Sequence, residues 1–310
     1  MITHHYPQLL RPFQRSVVTM GSFDGVHRGH RLILNSVVEQ AAALKAEAVL
    51  VTFDAHPRKV LGKEMGGNGL LTTPEERAQI FSEAGIDHLV CITFNEEIAA
   101  IEAETFVKEV FVDMLKAVHI VTGYGHRFGK GGRGDHRMLE ELASTHGFTT
   151  HMIPMQQMED LMISSTRIRS FLAQGQVAEA ARYLGYTYSL SGHVVHGNKL
   201  GQKIGFPTAN IRPGNPQKLI PADGVYAVKA RMDEIWHHGM CNIGVRPTIE
   251  SNEKTIEAHL FGVNINLYNK PITISFEERL RDEKKFDSID ALREQLHLDK
   301  QHAMSVLAKR

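Results

Sequence analysis

The chain has 310 residues, 42% of them hydrophobic and 23% charged, with 35 lysines and arginines against 35 aspartates and glutamates. That length suggests two domains with ample material for a core. Zero net charge argues against a nucleic-acid groove or an anionic membrane as partner. Two cysteines, Cys91 and Cys241, argue against a disulfide framework or a cysteine-rich zinc site and fit a reducing compartment. Met1 to Ser16 has no apolar h-region and no run reaches the ~18 apolar residues of a membrane span, so a cytoplasmic location is expected.

In chain order, the first half alternates two periods. Ser16 to Met20 is a short β-branched run, and His30 to Ala46 places Leu34, Val37, Val38, Ala41 and Leu44 at helical spacing. Ala48 to Phe53 reads as a buried strand. Thr73-Pro74-Glu75-Glu76 carries an N-cap, a proline at the first helical position and a capping-box glutamate. His88 to Phe94 is strand-like, Ala103 to Leu115 helical, Val118 to Gly123 strand-like, Arg137 to His146 helical and Thr149 to Met155 strand-like. Five strands separated by four helices predict a doubly wound parallel sheet, whose ligands bind outside the carboxyl ends of the strands.

The pattern then changes. Thr166 to Leu184 reads as two short helices broken at Gly175. Strand candidates follow at Tyr188–His196, Val225–Met232, Trp236–Val245, Thr255–Phe261 and Ile272–Leu280, with turn residues between them, and Asp287–Lys309 closes as a helix. A small antiparallel β-barrel with a C-terminal helix is expected, with the domain boundary near Gly185: residues 1–185, then 186–310.

Two segments carry chemistry. The first is Thr19-Met20-Gly21-Ser22-Phe23-Asp24-Gly25-Val26-His27-Arg28-Gly29-His30, between the first strand and first helix. Its glycines permit close approach of a phosphate, and His27 and His30 sit where a helix N-terminus favours an anion. Taken alone, this is a glycine-rich turn with solvated histidines; its place at the carboxyl end of a parallel strand favours the functional reading. Ile163-Ser164-Ser165-Thr166-Arg167-Ile168-Arg169 adds hydroxyls that can cap a helix or hold phosphate oxygens, and two arginines that can neutralise charge.

Together these segments resemble the H-x-G-H nucleotidyltransferases, and in full the FMN adenylyltransferase module of bacterial FAD synthetases. Phe53-Asp54-Ala55-His56-Pro57-Arg58 and Gly123 to Gly129 continue the likeness. The resemblance implies ATP and phosphate binding by Gly21, Phe23, Asp24, Gly25, Ser164, Ser165, Thr166 and Arg167, with His27, His30 and Arg169 in catalysis. One position departs: Gly125 stands where an acidic residue is usual, removing a side chain near the expected nucleotide or flavin.

The second segment is Gly192-His193-Val194-Val195-His196-Gly197-Asn198-Lys199-Leu200-Gly201-Gln202-Lys203-Ile204-Gly205-Phe206-Pro207-Thr208-Ala209-Asn210. Strand-like surroundings rule out a Walker A loop or a dinucleotide fingerprint. Thr208 and Asn210 alternate along an extended chain, so both can reach one Mg²⁺ ion beside ATP phosphates. A glycine-rich hairpin is the plain alternative. The stretch resembles riboflavin kinase, as do Pro221–Tyr226, Asn242–Thr248 and Arg279–Phe286. That resemblance implies Glu257 as general base, phosphate binding through Gly192, His193, Gly197, Lys199, Gly201, Gly205 and Pro207, and flavin contacts at Arg281, Asp282 and Phe286. Gly262, Asn266 and Asn269 depart from the usual residues of the flavin-side loop.

The expected function is therefore phosphorylation of riboflavin to FMN and adenylylation of FMN to FAD, with ATP consumed in both steps and a divalent cation as cofactor. Three alternatives stay open at this level: a chain with only the kinase active, an adenylyltransferase for another phosphate, and a non-catalytic flavin-binding regulator.

Overall fold

The computed structural model describes residues 1–8, 11–54, 69–154, 163–197, 200–247, 252–263 and 267–309. The chain divides into two compact units, one within Met1–Met65 and Thr72–Ser165, the other within Gly66–Leu71 and Thr166–Arg310.

In the first unit β1 (Ile2–His5), β2 (Ser16–Met20), β3 (Glu47–Phe53), β4 (His88–Ile92), β5 (Ala117–Gly123) and β6 (Thr149–Ile153) form one parallel sheet in the order β1-β4-β3-β2-β5-β6. Its helices are α1 (Arg28–Leu44), α2 (Pro74–Glu83), α3 (Glu96–Ala100), α4 (Ala103–Phe106, continued with π-helical spacing over Val107–Met114) and α5 (His136–His146). Alternate residues of the central strands feed two cores, as a sheet covered on both faces requires. Val18, Met20, Val49 and Val51 pack on one side with Phe106 and Phe111, and Val17, Ala48 and Leu50 on the other with Leu34 and Phe81. The predicted doubly wound sheet is present, with a sixth strand, β1, that the sequence pattern missed. β1 lies at the edge and buries only His4, so it has no apolar signature.

The second unit begins with α6 (Ser165–Ala173, from Thr166 on) and α7 (Val177–Leu184). β7 (Ser189–Val195), β8 (Ala209–Pro213), β9 (Gly224–Met232), β10 (Ile235–Pro247), β11 (Asn252–Leu260) and β12 (Pro271–Arg281) close an antiparallel barrel in the order β10-β11-β8-β7-β12-β9. α8 (Leu200–Lys203) lies before β8, and α9 (Ile289–Leu307) ends the chain. The barrel was expected, but β8 was not among the strand candidates: it is short and ends on a proline.

Register decides which residues face where. Tyr226, Cys241, Ala258 and Ala209 form one cross-strand row, with Tyr226, Cys241 and Ala258 buried almost completely. The next row is Val225, Asn242, Glu257 and Asn210. A step of one residue reverses the face, so this second row looks outward. On that outer face Ala227 and Met240 pack with Phe206 and with Ala303, Val306 and Leu307 of α9.

Candidate active sites

In the first unit, the loop after β2 ends at α1, whose N-cap is His27. The ring nitrogen Nδ1 of His27 accepts the backbone N–H of His30 at 3.2 Å. The two imidazoles stack with centroids 3.6 Å apart. Burial pushes the His27 pKa down to about 4; burial also holds His30 well below the usual histidine value, with the neighbouring His27 and Arg77 adding to it. Both rings are therefore neutral near pH 7. Because Nδ1 of His27 is an acceptor, its proton sits on Nε2, which can donate to an anion.

The loop is pinned from residue 72. Asp24 Oδ1 accepts from Thr72 N at 3.0 Å and from Thr72 Oγ1 at 3.3 Å, and Gly25 N donates to Thr72 Oγ1 at 2.9 Å. Arg77 on α2 donates to the Ser22 carbonyl at 2.7 Å, and Ser165 Oγ donates to the Asp24 carbonyl at 2.8 Å. Phe23 and Val26 hold positive φ angles of 46° and 32°. Such conformations cost about 1–3 kcal/mol each and persist where surrounding structure over-determines them. These bonds supply that constraint.

A cavity of about 580 Å³ opens beside Gly21 and Ser22, walled by Phe53, Phe94, Phe106 and Phe128 with His126. It lies by the ends of β2 and β5, where the sheet order reverses and open parallel sheets place their ligands. Gly125 has φ +71°, a left-handed conformation that favours glycine, and a Cβ built there would meet nothing within 4 Å.

In the second unit a cavity of about 290 Å³ lies on the outward row, lined by Thr208, Asn210, Asn242, Glu257, Glu283 and Phe286 among others. Thr208 Oγ1 donates to Glu257 Oε2 at 3.3 Å, and Asn210 stands opposite Glu257 across β8 and β11. The glycines spaced by four have different tasks. A Cβ on Gly197 would run into the Asn210 amide, and one on Gly201 into the Phe206 carbonyl, whose residue's N–H folds back onto the Gly201 carbonyl at 2.8 Å. Hydroxyl, amide and carboxylate oxygens on one strand face are hard donors, the set that suits Mg²⁺ completed by substrate phosphates. Arg281 reaches the cavity while held by Asp299 of α9, with contacts of 2.7 to 3.1 Å from Nε and Nη2. Its guanidinium lies 5.8 Å from the Phe286 ring centroid.

The structure thus brings Gly21, Phe23, Asp24, Gly25, His27, His30 and Ser165 to one loop end of the first unit, with Ser164 next to Ser165. Thr166, Arg167 and Arg169 fall within the second unit. There Arg169, buried, donates to the Gly69 carbonyl at 3.1 Å, and Arg167 lies over the Phe171 and Tyr183 rings. The second cavity gathers Gly201, Thr208, Asn210, Glu257, Arg281 and Phe286. Gly205 and Pro207 lie in the turn leading into it; the Pro207 carbonyl is hydrogen-bonded to His259 Nδ1 at 2.8 Å. Gly192 and His193 lie elsewhere, on β7, against a separate cleft with Arg231 and Thr273. Asp282 is exposed and paired with Arg279 at 2.8 Å. Lys199, with Asn198, Asn266 and Ala55 to Arg58, lies outside the described residues. Sequence reasoning missed Thr72, Arg77, His126, Asn242, Glu283 and Asp299. His126, Asn242 and Glu283 fell inside quoted motifs without being assigned a role; Thr72, Arg77 and Asp299 are recruited by tertiary packing.

Two family models match: FAD synthetase over residues 11–167 and riboflavin kinase over residues 184–307. The bifunctional riboflavin kinase/FMN adenylyltransferase of Bacillus subtilis is 35% identical over 307 residues, covering 98% of this chain and 96% of that protein. Its Escherichia coli K12 counterpart is 34% identical over 289 residues, covering 93% and 91%. A crystal structure described as a macrolide-efflux protein from Streptococcus pneumoniae superposes with a TM-score of 0.87 at 28% identity, covering 98% of this chain and 99% of that one. Among the described residues no helix is long and apolar enough to cross a membrane. By both matched halves and by identity along nearly its whole length, the chain belongs to the bifunctional riboflavin kinase/FMN adenylyltransferase family.

Proposed function

We propose that the second unit phosphorylates riboflavin and the first adenylylates the product, each with its own ATP. The observation that carries the kinase reading is the outward row: Glu257 bears a carboxylate beside the Thr208 hydroxyl and opposite Asn210. Glu257 takes the proton of the terminal ribityl hydroxyl as its oxygen attacks the γ-phosphorus, and ADP leaves. Thr208 and Asn210 would hold Mg²⁺, which supplies charge neutralisation on the phosphates. Gly197 and Gly201 keep the backbone close enough for the Asn210 and Thr208 side chains to converge. Phe286 and Arg281 bound the flavin side of the cavity.

In the first unit the nucleophile is the FMN phosphate, already ionised, so no base is required. A phosphate oxygen attacks the α-phosphorus of ATP and pyrophosphate leaves. His27 and His30 supply neutral N–H donors to oxygens that gain charge, alongside the N–H groups of the α1 N-terminus. The aromatic cavity takes the flavin ring; its volume is in the range of roughly 300–1,000 Å³ usual for such ligands. The adenylylating half is assigned to residues 1–185 and the kinase to 186–310, although Thr166–Leu184 cluster with the second unit.

Supplying FMN with ATP and Mg²⁺ tests one half, and riboflavin with ATP and Mg²⁺ the other, each read by chromatography of the flavins. Failure of either conversion removes the corresponding assignment.

A further inference from the structure

The wall of the first unit's cavity is mostly hydrocarbon. Phe53, Phe94, Phe106 and Phe128 can grip any flat heteroaromatic ring, but hydrocarbon contact does not distinguish one ring system from another. Among the described residues, two ionisable side chains reach this wall, Arg127 and His126. Arg127 is committed to Asp135 at 3.0 Å and is largely exposed. His126 is held by the turn after β5, where its own N–H donates to the Gly123 carbonyl at 3.2 Å. Its Nδ1 is sealed from solvent and has no hydrogen-bond partner.

An unpaired N–H costs more to bury than a bare lone pair, whose hydration is weaker. The proton of the neutral ring therefore belongs on Nε2, leaving Nε2–H as the donor His126 offers at the cavity wall. Burial pushes the His126 pKa down to about 4, so the ring is a neutral donor at physiological pH. A phosphate buried against a hydrocarbon wall would lose its hydration with no counter-charge there, whereas a carbonyl oxygen needs only one neutral donor. Of the two ends of a flavin ring, the dimethylbenzene end has no acceptor and the dione end has two carbonyls.

We propose that His126 is a specificity-determining residue of the adenylylation site, donating Nε2–H to an acceptor on the dione edge of FMN. This rests on the reading that the aromatic cavity holds the flavin. The donor fixes which end of the ring enters first, and so where the phosphate lies relative to Ser22 and the histidine pair.

The test uses the full-length protein with saturating ATP and varied FMN. His126→Phe keeps an aromatic ring and removes both nitrogens. It is expected to raise the KM for FMN roughly three- to tenfold, the scale of one neutral hydrogen bond, with the KM for ATP unchanged. His126→Gln, which retains an N–H donor, should recover part of that loss. Riboflavin phosphorylation should be unaffected in both. An unchanged FMN KM in His126→Phe, with wild-type protein making FAD, overturns the proposal and leaves the cavity assignment standing. Equal losses in kcat and in both KM values for both variants mark a residue that only holds the loop, and also overturn it. Absence of FAD from wild-type protein overturns the proposal together with the reading beneath it.

Discussion

Glu257 and Asn210 are cross-strand partners on β11 and β8, and Glu257 also accepts a hydrogen bond from Thr208 two residues before Asn210. Strand register thus sets Asn210 opposite Glu257, and a hydrogen bond joins Thr208 to the same carboxylate. Glu257→Gln keeps that geometry and removes the basicity. FMN formation should fall by roughly 10²–10⁴-fold, the scale of a lost general base, while FAD formation from supplied FMN is unchanged. Initial rates in both assays measure this. Near-normal kinase turnover would leave Glu257 a positioning group only.

Gly197→Ala tests the same row from its other end. The added Cβ runs into the Asn210 amide and must displace that side chain. Misplacement of about 1 Å can cost on the order of 10²-fold in rate, so kinase kcat should drop by about ten- to a hundredfold. The adenylylation rate should not change, since Gly197 lies in the other unit. Full kinase activity in this variant would mean the cavity tolerates a displaced Asn210.

The histidine pair separates by role. His30→Ala should weaken adenylylation by about 2.7–4 kcal/mol in the transition state, the range for a lost oxyanion donor. His27 additionally caps α1. His27→Ala should therefore also lose about 0.5–2 kcal/mol of stability, whereas His27→Ser retains a cap acceptor and should lose activity with less change in stability. Denaturant midpoints set beside FAD-forming rates distinguish the two effects. Equal stability of the Ala and Ser variants would contradict the capping role.

Stability should fall on acidification. Burial depresses the pKa of His27 and His126 to about 4 from an unfolded value of 6.5. Between those values the unfolded chain binds protons that the folded chain does not, so stability is full above pH 6.5 and declines as pH drops toward 4. At about 1.4 kcal/mol per pKa unit, each histidine accounts for on the order of 3 kcal/mol by the bottom of that window. Urea unfolding at pH 7.5, 6 and 5 should show the decline, and His126→Phe should flatten its slope. Stability independent of pH over that range would refute the buried neutral state.

Much of this was legible in the chain itself. The helical and strand periods marked the sheet and most of the barrel, and the spacing of Thr208 and Asn210 implied a shared face. What failed to show was whatever depends on distant packing. β1 is a short polar edge strand whose one buried side chain, His4, is held by His88 at 3.0 Å. β8 was hidden because its proline suppresses the strand signal. Thr72 and Arg77 flank the Thr73–Glu76 helix cap read from the sequence, and that cap is present; their task, pinning the loop of Asp24 and Ser22, lies about fifty residues away. Asp299 sits in an amphipathic helix, and nothing local reveals that it steadies Arg281. Gly192 and His193 show the converse: they open the Gly192–Asn210 segment, yet strand direction carries them to another cleft.

On the proposed function, one chain carries two separate ATP-consuming sites acting in series. Incubation of the wild-type protein with riboflavin, ATP and Mg²⁺, sampled over time and resolved by chromatography, tests it most directly. FMN is expected to appear first and FAD to follow after a lag, and His30→Ala protein is expected to halt the series at FMN. Riboflavin left unconverted, or FAD formed at the normal rate by the His30→Ala protein, would contradict it.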